Sequence, residues 1–162
     1  MSARPVRLQA TEALRDDTLP RGAQLSLLSY NLLLPNPGRE ESWWVYKSYP
    51  PGAAPEQSSW SSRGPLLCER LLSAEAELLC LQELSPESFA ELQPPLQRAG
   101  YLGLLHERGR FIRCGTFWRA DRFELVAMSH EFRGLVTLLH DRLGGTDAFI
   151  LVVNVHLSGG PK

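Results

Sequence analysis

The chain has 162 residues, 43% of them apolar, and a formal charge of −1 from 17 basic and 18 acidic side chains. That supports one hydrophobic core, and it excludes a global positive field as the basis for binding nucleic acid or an acidic membrane. The three cysteines, Cys68, Cys80 and Cys114, are odd in number and widely spaced without a C-x-x-C pair, which reads as reduced thiols rather than a disulfide or zinc framework.

Residues 1–22 are polar and carry Pro5, Pro20 and Gly22, so they read as a leader, with a domain expected over 23–162. Arg4, Arg7 and Arg15 are offset by Glu12, Asp16 and Asp17, which argues against an organelle presequence. No apolar run approaches the roughly 20 residues needed to span a bilayer. The reading is therefore no membrane partner and a cytoplasmic location.

Leu25 to Leu34 forms the first apolar run, interrupted at Asn31 and stopped by Pro35-Asn36-Pro37-Gly38, as expected for a buried strand entering a loop. The segment from Pro35 to Pro65 is rich in proline, glycine and serine, yet it carries Trp43, Trp44, Tyr46, Tyr49 and Trp60. These rings suit either cover for a sheet edge or stacking on bases. A helix is expected from Leu66 to Ala76 on the spacing of Leu66, Leu67, Arg70, Leu71 and Leu72.

Leu78-Leu79-Cys80-Leu81-Gln82-Glu83 is an apolar strand ending in a carboxylate. Ser85 then caps a second helix with Pro86 in its first turn, which Pro94-Pro95 should terminate or distort. Beyond it, β runs are expected at Tyr101 to His106, Cys114 to Trp118, Phe123 to Val126, Leu135 to His140 and Phe149 to Leu157. Gly109, Gly134 and Gly144-Gly145 punctuate them. Strand, helix, strand, helix and a meander predict an α/β (α+β) sandwich layer.

Two polar residues interrupt apolar strands at their ends, Asn31 and Glu83. A strand-end carboxylate suits a hard cation, and a neighbouring amide suits a water or a phosphate oxygen. In the last strand a period of two puts Asn154 and His156 on one face, with Val153, Val155 and Leu157 on the other.

In order, Ser29-Tyr30-Asn31-Leu32-Leu33, Leu79-Cys80-Leu81-Gln82-Glu83, Gly115-Thr116-Phe117-Trp118-Arg119 and Asn154-Val155-His156-Leu157 resemble the motifs of the endonuclease/exonuclease/phosphatase family. The nearest branch contains the deadenylases, nocturnin and the angel proteins. The resemblance implies a partial four-layer α/β/β/α sandwich and a phosphodiesterase acting on RNA or a poly(A)-like substrate. Mg²⁺ is the implied cofactor, with Mn²⁺ as an alternative, and single-stranded RNA the implied partner.

Carried over by motif, Glu83 and Asn31 are implied at the metal, while His156, Asn154 and Asn31 are the implied catalytic set. Arg119 is implied at the phosphate, and Trp43 and Trp44 remain candidate substrate contacts. The family's later Gly-Asp-x-Asn and Ser-Asp-His motifs do not occur here. The chain is therefore expected to be inactive alone, lacking the second sheet and exposing a large apolar face. A non-catalytic nucleic-acid-binding or protein-binding fragment is the alternative.

Overall fold

The computed structural model describes residues 24–33, 59–108 and 112–157. It contains two sheets and two helices: β1 (Leu27–Asn31), α1 (Trp60–Ser73), β2 (Leu78–Leu84), α2 (Pro86–Arg98), β3 (Tyr101–Leu105), β4 (Arg113–Arg119), β5 (Phe123–His130), β6 (Gly134–Asp141) and β7 (Phe149–Val155). The first sheet has the order β1-β2-β4-β3, with β1 parallel to β2 and the other pairs antiparallel. The second is the antiparallel meander β5-β6-β7.

Strand β2 explains the layering, because it is buried on both faces. Leu79 and Leu81 point to the helices, where they join Leu71, Leu92, Leu96 and Phe117. Leu78 and Cys80 point the other way, against Phe123, Leu139 and Val152 of the meander. The described residues thus form helices, sheet and sheet in sequence, the α+β sandwich expected from the sequence.

Contrary to expectation, a second sheet is present and covers the first. The strands from Phe123 onward fold back as a separate meander instead of extending the first sheet. The exposed apolar face lies instead on the outer side of β7, at Phe149, Leu151, Val153 and Val155.

Both helices also depart from the reading. Helix α1 begins at Trp60, six residues before Leu66, and carries Pro65 inside it. Ser59 caps its first turn, Trp60 Nε1 donates to Glu91, and Arg63 Nη1 donates to the Leu32 carbonyl at 2.9 Å. These tertiary contacts outweigh a poor local helix sequence. Helix α2 starts at the Ser85 capping box as expected, completed by Ser88, but it runs through Pro94 and Pro95 to Arg98. Those prolines leave without donors the carbonyls of Ala90 and Glu91, both on exposed residues where water can serve them, while Leu92 and Leu96 hold the helix to the core.

Among the described residues no helix is long and apolar enough to cross a membrane. Cys80 and Cys114 are buried and free, and burial pushes both thiols up to about 11.

Candidate functional site

The parallel pairing of β1 with β2 places Asn31 beside Gln82, so the two strands end together. Continued alternation along β2 would send Glu83 into the helix-side core with Leu79 and Leu81. A register irregularity between Leu81 and Leu84 prevents this. Glu83 adopts φ +62°, and the extra residue returns Leu84 to the helix-side core while freeing the carboxylate from it. A left-handed glutamate costs on the order of 1–3 kcal/mol, a cost found most often at functional positions.

Asn31 Nδ2 donates to Glu83 Oε1 at 2.8 Å, and Asn31 Oδ1 accepts from the Leu33 amide at 2.8 Å. Leu33 is also left-handed, at φ +51°, and Arg63 braces this turn by donating to the carbonyls of Leu32 and Leu33. His156, just past β7, reaches the same carboxylate oxygen, with Nε2 3.3 Å from Oε1. Its own amide donates to the Arg133 carbonyl at 3.0 Å, which ties it to the β5–β6 turn. Glu83 Oε2 is buried with no hydrogen-bond partner.

The structure therefore brings together Asn31, Glu83 and His156, three residues from strands far apart in sequence. Asn154 lies behind them, 2% exposed between the sheets. Its Nδ2 donates to the carbonyls of Leu81 at 3.1 Å and Gly115 at 2.9 Å, and its Oδ1 accepts from Gln82 Nε2 at 2.8 Å. It fixes β7 against β2 and β4, and so fixes where His156 emerges.

Arg119 is not at this site. It ends β4 at the opposite end of the strands, paired with Asp121 and placed over the Tyr101 ring. Because β4 runs antiparallel to β2, the residue beside the Glu83 end is Arg113, paired in register with Leu84. Six strand steps, roughly 20 Å, separate the two arginines. Trp43 and Trp44 lie outside the described residues.

Arg63, Arg113, His106 and Phe132 were not singled out by sequence reasoning. The antiparallel register that brings Arg113 to the site is set by long-range pairing, which no local pattern displays.

Among the described residues no three His, Cys, Asp or Glu side chains converge as a metal cage. Mg²⁺ characteristically binds through one or two carboxylates and keeps several waters, a demand with which the single Glu83 carboxylate, its Oε2 free of hydrogen bonds, would be compatible.

No family model matches the chain. Among curated proteins, it is 32% identical over 155 residues to the CCR4-Not complex 3'-5'-exoribonuclease subunit Ccr4 of Saccharomyces cerevisiae, covering 88% of this chain and 17% of that protein. It is 31% identical over 110 residues to the Carbon catabolite repressor protein 4 homolog 5 of Arabidopsis thaliana, covering 66% of this chain and 22% of that one. The chain thus spans about a fifth of the length of these relatives.

Among solved structures it shares its fold with ANGEL2, a 2',3'-cyclic phosphatase, at TM-score 0.66 and 24% identity over 83% of this chain and 41% of that one. The human nocturnin catalytic domain also shares it, at TM-score 0.55 and 20% identity over 83% and 55% of the two chains. Fold, motif order and relatives agree: the chain belongs to the endonuclease/exonuclease/phosphatase family, in the branch of the deadenylases, nocturnin and the angel proteins.

Proposed function

We propose that this chain carries the Glu83, Asn31 and His156 face of a Mg²⁺-dependent phosphodiesterase site that acts on RNA. The observation that supports it most directly is the Glu83 carboxylate. Its Oε1 meets Asn31 Nδ2 and His156 Nε2 while its Oε2 stays buried and unpartnered on a strained backbone. A buried acceptor left unpaired costs about 1–3 kcal/mol, and more when charged, so this oxygen is poised for a cation.

Bound there, Mg²⁺ would polarise a phosphoryl oxygen and offset the charge that develops on it. Asn31 holds the carboxylate in one rotamer from the β1 side. His156, with a third of its side chain exposed, is placed to donate to a non-bridging phosphate oxygen at the mouth of the site. Arg63 sets the turn that aims Asn31, and Asn154 sets the strand that aims His156.

Hydrolysis is proposed for a domain of the relatives' length. The 162-residue chain, in which the described residues supply this one carboxylate at the site, is proposed to bind metal and RNA without turnover. RNA as substrate is supported by the exoribonuclease named among the relatives.

The test is calorimetric titration of Mg²⁺ into the chain and into Glu83→Ala. Loss of at least tenfold in affinity is expected for the variant, with Arg119→Ala unchanged. Equal Mg²⁺ affinity in the parent and Glu83→Ala would remove the metal assignment.

A further inference from the structure

Next to the Glu83 cluster, and sharing His156 with it, lies a cavity of about 300 Å³, at the small end of the range for ligand sites. Arg108, Arg113, Arg133, His106, His156 and Phe132 are among the residues that line it, and among the described residues no acidic side chain does. In a chain of net charge −1 this is a local concentration of positive charge. Of the acids around it, Glu83 meets His156 at 3.3 Å on the metal-site side, Glu107 sits 3.9 Å from His130, and Glu131 accepts from Ser129 at 2.5 Å.

Phe132 is the feature that packing does not explain. It stands at the β5–β6 turn with 83% of its surface exposed, the most of any large apolar residue described. Arg133 places its guanidinium 5.3 Å from the ring centroid, on one side of a ring otherwise open to solvent. Arg113, on the same cavity, is only loosely held, with Nη1 3.4 Å from the His106 carbonyl and a buried Nε that has no hydrogen-bond partner. His106 itself is held by the Glu131 carbonyl at 2.6 Å, which ties this wall of the cavity to the β5–β6 turn.

We propose that this cavity is a nucleotide subsite for single-stranded RNA, with Phe132 stacking on a base and Arg108, Arg113 and Arg133 holding the adjoining phosphates. An exposed ring among arginines is the combination that binds single strands, the cations following the backbone and the ring accepting any base. Its position next to His156 assigns it to the nucleotide flanking the scissile phosphate. That assignment rests on the phosphodiesterase reading, whereas the binding itself does not.

The test is fluorescence anisotropy of a labelled mixed-sequence single-stranded RNA with the 162-residue chain, in EDTA so that metal takes no part. Phe132→Ala should weaken binding between about fivefold and about a hundredfold, the loss expected for one base–aromatic stack. Phe132→Trp should restore it, with its indole emission quenched by RNA. Arg113→Gln and Arg133→Gln should each lower the salt slope by about 0.7, one phosphate contact on a single strand. Arg142→Gln, at the far end of the meander, should change nothing.

Equal affinity in the parent and Phe132→Ala, with matching thermal melts, overturns the proposal. So does absence of RNA binding by the parent, or displacement by base-free polyphosphate that is the same in both proteins. Loss of RNA binding in Phe132→Ala together with unaltered Mg²⁺ affinity in Glu83→Ala would keep the subsite and discard the phosphodiesterase reading. The reverse pair of results would discard the subsite alone.

Discussion

Strand β2 carries a carboxylate at each end of its reach, and the two are treated in opposite ways. Glu77, just before the strand, faces Arg122, whose guanidinium also forms two bonds to Asp141, at 2.9 and 2.6 Å, and one to the Gln24 carbonyl at 2.7 Å. This arginine comes from the β4–β5 connection and Asp141 from the end of β6, so one cation joins the two sheets. At the other end Glu83 has two neutral-capable donors on one oxygen, none on the other, and a left-handed backbone. One end uses charge to close the sandwich. The other leaves a charge incompletely answered, which costs stability and leaves a site for a ligand.

The largest expected effect follows from breaking the closed end. Arg122→Ala would strand Asp141, which is 4% exposed, without its counterion, and removing one partner of a buried pair costs about 3–5 kcal/mol. Chemical denaturation should show a loss of that size. A loss below about 1 kcal/mol would mean that the two ends do not differ in this way.

The same pair sets a pH dependence. Hydrogen bonds from Arg122 hold the Asp141 carboxyl below the usual aspartate range. A depressed carboxylate contributes stability that is complete above its unfolded value, near pH 4, and is lost as pH falls through its folded value. Parent stability should therefore fall on the acid side of about pH 4, and Arg122→Ala should show a shallower acid limb over the same window.

Much of this frame was legible from the sequence, and the remainder has a common physical cause. Each of the seven strands overlaps an apolar run, because alternation and turn glycines are local signals. The parity of β7 was likewise readable, with Asn154 on one face and Val153 and Val155 on the other, but not that Asn154 faces in and the valines out. Which strand joins which sheet was not readable, because pairing between Leu78 and Trp118 or between Gly134 and Val155 is set by contacts across the chain. Hence the second sheet was not anticipated, and Arg119 was chosen where register places Arg113. The irregularity at Glu83 was equally hidden: Leu78 to Glu83 reads as one unbroken strand, and only the packing of the strand through Leu84 on both faces reveals the extra residue. Pro65, Pro94 and Pro95 misled in the opposite sense, since a strong local preference was overruled by burial of Leu71, Leu92 and Leu96.

A smaller effect is expected between the two ends, at Asn154. Asn154→Ala would remove the side-chain donor from the Leu81 and Gly115 carbonyls in a buried seam, while Gln82 Nε2 would keep the Cys80 carbonyl and Ser29 Oγ. A cost of about 2 kcal/mol is expected, partly relieved by water entering the space. Because β7 would loosen while Glu83 and Asn31 stay paired, Mg²⁺ affinity should change less than RNA affinity at the cavity beside His156. A variant as stable as the parent would show that Asn154 does not hold the sheets together.

The smallest effect sharpens the contrast most. Glu83→Gln keeps the length and shape of the side chain and an oxygen for Asn31 Nδ2, but it removes a buried charge that only half its oxygens satisfy. In EDTA its stability should lie within about 1 kcal/mol of the parent, on the side of a gain, because the variant no longer buries an unanswered carboxylate. The strain at φ +62° is the same for either residue, so it cancels from the comparison. A loss approaching that of Arg122→Ala would place Glu83 among the charges that hold the fold together. A neutral or stabilising result, measured beside lost Mg²⁺ binding, would mean that the fold maintains Glu83 at a cost and that the return lies in binding.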